Sequence, residues 1–163
     1  MEFLGHSLVL GVGATAVMDA WGVLRQPLLG LPRMNHALLG RWVGHLAAGQ
    51  FRPAAIATSP PVRGERTIGW TLHYLIGTGF AVLLLGAWGV DWLQRPTLGP
   101  AMIVGVGTTL APLLIMQPAM GLGIAGARTR RPGATVLQSL LTHAIYGLGL
   151  YLAGWVDHLV LRP

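Results

Sequence analysis

The sequence predicts an all-α membrane protein: four transmembrane helices arranged as two parallel two-helix repeats, plus one cytoplasmic amphipathic helix. Three observations support this fold class. The 163-residue chain is 53% hydrophobic and only 10% charged, whereas soluble domains carry about 25% charged residues. Its apolar residues fall into blocks of about 20 residues, long enough to cross a bilayer as helices. The two halves of the chain also share short motifs in the same order.

The predicted spans are Phe3–Leu24, Ile68–Val90, Leu98–Met116 and Ala134–Val156, so residues 1–163 form a single integral membrane domain. Nine of the 11 arginines fall between spans one and two or between spans three and four, on one side of the membrane. The positive-inside rule therefore places these loops, including the long connection 26–67, in the cytoplasm and both termini outside. Because the charge follows the topology, it does not indicate nucleic-acid binding.

The repeat is visible in paired motifs. Span one contains "LGVGATA" and span three "VGVGTTL", and the spans end in "RQPLLG" and "MQPAMG". Spans two and four share a histidine followed four residues later by glycine: His73 with Gly77, and His143 with Gly147. A two-span unit returns to its starting side, so the copies would be parallel and related by a pseudo-two-fold axis along the membrane normal. Chance similarity between apolar helices is the alternative.

The connection between spans one and two contains the predicted amphipathic helix. Asn35 is a suitable N-cap. One helical face carries the apolar residues Leu38, Leu39, Trp42, Val43 and Leu46. We expect this helix to lie at the inner membrane surface. The following "ATSPPVRGER" predicts a rigid, solvated connector, since its prolines fix the backbone.

Several motifs together resemble a known family. "GVGATAVMDAWG", "GRWVGH", "ATSPPVRGER", "GWTLHYLIG", "MQPAMGLGIA" and "THAIYGLGLYLAGW" resemble the bacterial domain-of-unknown-function family 2938 of small predicted multi-pass membrane proteins. The resemblance covers nearly the whole chain and implies a bacterial multi-pass membrane protein. It implies no activity and supplies no catalytic residues, so any site has to be argued from the residues themselves.

Polar side chains within the spans are the candidate site. An aspartate at the centre of a membrane helix costs about 2.5–3.5 kcal/mol, so such residues normally face other helices. One four-residue step leads from Asp19 to Thr15 on the same face, and two such steps lead from Gln117 to Thr109. Small residues on the same faces predict close helix contacts. The predicted ligand or ion site, at broadly similar depth in the cytoplasmic halves of the spans, comprises Asp19, His73, Gln117, His143, Thr15 and Thr109.

Four interpretations of this cluster are open. It can fix packing through hydrogen bonds. It can bind an ion, proton or small ligand, with Asp19 as the titratable carboxylate and His73 and His143 as relay or ligands, as in a small transport or ligand-binding protein. It can hold a metal or haem between the two histidines. A membrane enzyme is the fourth, although HExxH, GxSxG and phosphate-loop motifs are missing, and the sequence identifies no cofactor.

A different function is also open for the whole protein. It can be a non-catalytic interaction subunit whose glycine-rich faces pack against a larger membrane partner or a second copy, with the lipid bilayer as surroundings. The remaining histidines are weaker candidates. His6 and His158 are expected near the outer surface, and His36 and His45 at the inner interface, where they would reach headgroups or solvent.

Overall fold

The computed structural model describes residues 2–31, 34–50 and 55–161. Within these ranges the chain forms helices and turns and no strand. Among the described residues, four helices are long and apolar enough to cross a membrane, which confirms the predicted all-α class and its helices of membrane-spanning length. The main helices are α1 (Glu2–Leu29), α2 (His36–Ala47), α3 (Glu65–Trp88), α4 (Leu98–Gly107) and α5 (Pro132–Leu161).

The third spanning helix contains a widened turn. Helical structure continues from α4 through a π-helical turn at Pro112–Met116 to Gln117–Ala119, so this helix spans Leu98–Ala119. Pro112 has no backbone N–H and cannot continue the α-helical ladder. The Gln117 N–H instead bonds to the Pro112 carbonyl, five residues back. Such single π turns are frequent at functional sites, and this one positions Gln117.

The first helix is longer than its predicted span. It continues past Leu24 to Leu29 and includes Arg25, which the sequence placed in the cytoplasmic loop. The Arg25 side chain is only 6% exposed, and its Nη1 donates to the Thr142 hydroxyl at 3.3 Å. The buried Arg25 side chain therefore has a partner on α5.

The chain divides into two compact units. Unit 1 comprises Met1–Arg33, Tyr74–Thr108 and Leu141–Pro163, and unit 2 comprises Met34–His73 and Thr109–Leu140. The core of unit 1 consists of fully buried apolar side chains, including Leu10, Leu84, Leu93, Tyr146 and Leu150.

Helices in unit 1 approach each other at glycines. A Cβ at Gly11 would overlap the backbone of Thr78, and a Cβ at Gly105 would overlap the backbone of Gly147. Glycine permits this close approach because it presents only hydrogen to the neighbouring helix. The small residues of the predicted helix faces therefore pack inside the unit.

In unit 2, α2 crosses the start of α3 at an equally close contact, which we call the α2–α3 seam. A Cβ at Gly40 would overlap the Glu65 carbonyl, and a Cβ at Gly69 would overlap the His36 carbonyl. Arg41 binds Glu65 beside these glycines, with Nε to Oε2 and Nη2 to Oε1 both 2.8 Å. The hydrogen bond to Glu65 raises the pKa of Arg41, so the guanidinium stays charged.

The connector before α3, "ATSPPVRGER", is hydrogen-bonded to α2 and is not simply solvated. The Val62 N–H donates to Glu65 Oε2 at 3.0 Å, and Arg41 Nη1 donates to the Ser59 carbonyl at 3.1 Å. His45 is 9% exposed, and its two ring nitrogens lie 2.9 Å from Gln50 Oε1 and from the Pro60 carbonyl. The expectation that His45 reaches headgroups or solvent was therefore wrong, because α2 turns this histidine toward the connector.

Candidate functional site

In unit 1, Asp19 is half-buried and bound by a tyrosine. The Tyr74 hydroxyl donates to Asp19 Oδ2 at 3.0 Å. Thr15, one turn earlier, is fully buried and donates its hydroxyl to the Gly11 carbonyl at 2.7 Å. Thr15 also faces Gly77, where a Cβ would overlap its hydroxyl. The Asp19 carboxylate is therefore held by a neighbour, while Thr15 completes a close helix contact.

His143, also in unit 1, is oriented by Thr108. The Thr108 hydroxyl donates to the Gly105 carbonyl at 2.8 Å, and His143 Nδ1 lies 3.1 Å from the same hydroxyl. The imidazole lies near the rings of Phe80 and Tyr146, with centroids 6.2 and 6.5 Å away.

In unit 2, Gln117 and Thr109 bring buried polar atoms into a spanning helix. Gln117 is 9% exposed, and its amide nitrogen donates to the Ser139 hydroxyl at 3.3 Å. Its Oε1 has no hydrogen-bond partner among residues 2–31, 34–50 and 55–161. The Thr109 hydroxyl, in a side chain 2% exposed, also has none within those ranges. A buried polar group without a partner costs about 1–3 kcal/mol.

His73 belongs to a cluster of rings in unit 2. Its imidazole lies 4.3 Å from that of His36, centroid to centroid, with the planes inclined at 49°. Trp70 covers both rings, at 4.1 Å from His36 and 5.9 Å from His73. Both histidines are 8% exposed. His36 was expected as an interfacial histidine of the amphipathic segment. The close approach at Gly69 draws the start of α2 onto α3, which buries the His36 side chain against α3.

The structure thus assigns the predicted residues to two groups. Thr15, Asp19 and His143 belong to unit 1, while His73, Thr109 and Gln117 belong to unit 2. The two histidines that the repeat motif paired have different surroundings. His73 lies beside a second histidine, whereas His143 is bonded to a threonine.

Sequence reasoning missed a buried histidine–aspartate contact in unit 1. His6 Nδ1 lies 2.7 Å from Asp157 Oδ1, and Asp157 is fully buried. Asp157 lies one residue beyond the predicted span Ala134–Val156, so the rule that an acidic residue in a spanning helix implies a partner was not applied to it. His158, on the same helix, has Nδ1 3.1 Å from the Leu93 carbonyl. Both histidines therefore have protein partners.

An apolar groove in unit 1 is separate from these polar groups. It has a volume of about 500 Å³ and lies between α1 and α5, with Val12, Gly13 and Ala153 among its lining residues. None of the residues predicted for the polar site lines it.

One comparison with known proteins identifies a family. A family described as "Protein of unknown function (DUF2938)" matches residues 8–157. No curated protein and no solved structure matches the chain. The family match covers the same stretches as the motif resemblance, from "GVGATAVMDAWG" to "THAIYGLGLYLAGW". The chain therefore belongs to the DUF2938 family.

Proposed function

We propose that this protein is a small ligand-binding or transport protein of the bacterial inner membrane, which receives a polar ligand or ion among its spanning helices. The observation that supports this best is the Gln117 carboxamide. It is buried in a spanning helix, its nitrogen is used, and its carbonyl oxygen has no partner in the described ranges. An oxygen held this way is suited to a ligand that brings a proton donor or a positive charge.

The surroundings of Gln117 support the same proposal. The Thr109 hydroxyl is also buried without a partner within the described residues. The π turn at Pro112–Met116 lies between these two residues along the helix. Asp19, His73 and His143 complete the proposed site on the basis of their sequence-predicted depth alone. The carboxylate would supply negative charge, and the imidazoles would act as ligands or a proton relay.

The topology that we propose follows the arginine distribution. Nine of the 11 arginines lie in the predicted cytoplasmic connections, so both termini would be periplasmic. The half-buried side chains of α2 would face the inner membrane surface: Leu38, Trp42, Val43 and Leu46. Leu39, the fifth residue of the predicted face, is 2% exposed and is buried within the protein. The two-helix repeat is supported by similar contacts: Gly11 contacts Thr78, and Gly105 contacts Gly147. The counterpart of Gly147 in the first copy is Gly77, one residue before Thr78.

A mutation at Gln117 tests the ligand site. Gln117→Leu removes an unpartnered buried oxygen, so the ligand-free protein should be as stable as the wild type or more stable. A ligand that binds only the folded state raises the unfolding temperature as its concentration rises. We expect at least one of Na⁺, K⁺, NH₄⁺, Mg²⁺ and Zn²⁺ to do so in mild detergent, and Gln117→Leu to reduce that shift.

Ser139→Ala is the control, because it removes the partner of the Gln117 amide and leaves the oxygen in place. It should keep most of the cation-dependent shift. A Gln117→Leu protein that is clearly less stable without any cation would contradict the proposal and show that the carboxamide only fixes packing.

An interaction subunit remains the second candidate, and one observation favours it. On α3, a methyl group added at Gly79 or at Gly86 would meet no atom of the described residues within 4 Å, and Leu83 between them is 57% exposed. Spacings of four and three residues put these residues on one helical face. A partner helix could pack closely there. Gly79→Leu should then abolish co-purification of a membrane partner without changing the cation-dependent stability.

A further inference from the structure

We infer that His36 and His73 together bind a first-row divalent transition-metal ion. The inference deepens the proposed function and rests on it, since His73 belongs to the proposed ligand site and the ligand there is now given a chemical class. His36 is a new member of that site, which the sequence placed at the membrane interface.

The distance between the two rings fits neighbouring positions on one ion. A metal–nitrogen bond of about 2.0–2.1 Å places the centre of a bound imidazole about 3.2 Å from the metal. Two such rings are then about 4.5–5.2 Å apart at coordination angles from 90° to tetrahedral, and about 6.4 Å apart on opposite sides. The observed separation, 4.3 Å, is just below the lower end of this range and far from the opposite-side value. A ring nitrogen of His36 lies within 4.8 Å of one of His73, so the two rings would have to rotate for both nitrogens to reach one ion.

The protein holds this pair in place. Asn35 caps α2 by accepting from the Ala37 N–H at 3.1 Å, which fixes the first turn that carries His36. Gly69 lets the His36 backbone lie directly against α3, one turn before His73. Trp70 covers both rings. Two side chains that are each 8% exposed are thus kept together at the α2–α3 seam.

The ligand chemistry selects the kind of metal. Imidazole nitrogen suits Zn²⁺, Cu²⁺ and Ni²⁺, whereas Mg²⁺ and Ca²⁺ require oxygen ligands. The chain has no cysteine, so a thiolate does not compete for the ion. The short ring separation also excludes axial ligation of one haem from opposite faces by this pair, because a macrocycle would need a gap of about 6.4 Å.

A purely structural role is the rival explanation, since the rings of His36, Trp70 and His73 also pack against one another. Phenylalanine distinguishes the two, because it keeps a flat ring at either position and removes the nitrogen. His36→Phe and His73→Phe should therefore preserve the packing and lose the metal. His45→Asn is the control, as it removes a buried imidazole from α2 whose nitrogens contact Gln50 and Pro60.

The test uses the full chain in mild detergent after treatment with a chelator. We expect one Zn²⁺ per chain by titration, and a Cu²⁺ electron paramagnetic resonance spectrum that shows coupling to two nitrogens. Each phenylalanine variant should weaken Zn²⁺ binding about 100-fold and reduce the coupling to one nitrogen, while His45→Asn retains both properties. Wild-type protein that binds no Zn²⁺, or phenylalanine variants that bind it like the wild type, would overturn the inference.

The Gln117→Leu protein separates this inference from the proposed function. If Zn²⁺ does not bind but another cation stabilises the protein in a Gln117-dependent way, the metal inference fails and the proposed function stands. If Zn²⁺ binding depends on the histidines and no stabilisation depends on Gln117, the metal inference stands and Gln117 is not part of the site. If no cation binds at all, both fail.

Discussion

The Tyr74 hydroxyl donates a 3.0 Å hydrogen bond to the Asp19 carboxylate from the neighbouring helix α3. A hydrogen bond to a charged group contributes about 1.5–3 kcal/mol. We expect Tyr74→Phe and Asp19→Leu each to lower the unfolding free energy, and the double variant to lose less than the sum of the two. Denaturant unfolding of all four proteins in a double-mutant cycle measures this coupling. Strictly additive losses would show that the two side chains do not interact.

Asp19→Asn probes the charge rather than the hydrogen bond. Asparagine keeps an acceptor oxygen for Tyr74, so it should cost less stability than Asp19→Leu. If the carboxylate serves a bound cation, the same change should abolish most of the cation-dependent rise in unfolding temperature. Equal loss of stability in Asp19→Asn and Asp19→Leu, with the cation response retained, would argue for a structural carboxylate.

The α2–α3 seam depends on its glycines. Gly69→Ala places a methyl group against the His36 carbonyl, and Gly40→Ala places one against the Glu65 carbonyl. Both contacts are with backbone, so neither can be relieved by a side-chain rotation, and we expect each variant to unfold at a clearly lower temperature. Gly79→Ala on α3 is the control, since its methyl group meets nothing within 4 Å in the described part of the chain. It should be neutral or stabilise by about 0.5–1 kcal/mol. Equal behaviour of Gly69→Ala and Gly79→Ala would contradict the seam.

Tyr146 joins two helices of unit 1 through its hydroxyl. The side chain is 1% exposed and donates to the Gly77 carbonyl at 2.6 Å. Tyr146→Phe should therefore reduce stability by about 0.5–1.5 kcal/mol. The control is Tyr151→Phe. Tyr151 packs against the same core but is only partly buried, so removing its hydroxyl should cost less stability. Chemical denaturation decides the comparison, and a larger loss at Tyr151 would be the contrary result.

The His6–Asp157 pair should behave as a buried ion pair. Removing one partner of such a pair typically costs about 3–5 kcal/mol, because the other is left in an apolar environment. We expect His6→Leu to be strongly destabilising, and His6→Leu with Asp157→Leu to recover much of that loss. Thermal unfolding of the single and double variants checks this. A double variant less stable than His6→Leu alone would show that Asp157 has a different role.

The sequence predicted those features that depend on periodicity and composition. Four-residue spacing identified the face of α1 that carries Thr15, and apolar length identified the spanning helices. It could not predict that His36 lies beside His73, because that contact depends on how α2 crosses α3. The crossing occurs at Gly40 and Gly69, and nothing in the sequence alone shows that these two glycines meet the opposite helix. The sequence could not predict the partner of Arg25 either, since Thr142 is 117 residues away. Pairing across such separations has no local signature.

The α2–α3 seam also has a consequence for the order of events during synthesis. Arg41 and Glu65 are 24 residues apart, and a ribosome adds about 5–20 residues per second. Arg41 is therefore made about 1–5 s before the residue that it binds. The translation rate across residues 41–65 thus sets the delay between synthesis of Arg41 on α2 and synthesis of its partner Glu65 on α3.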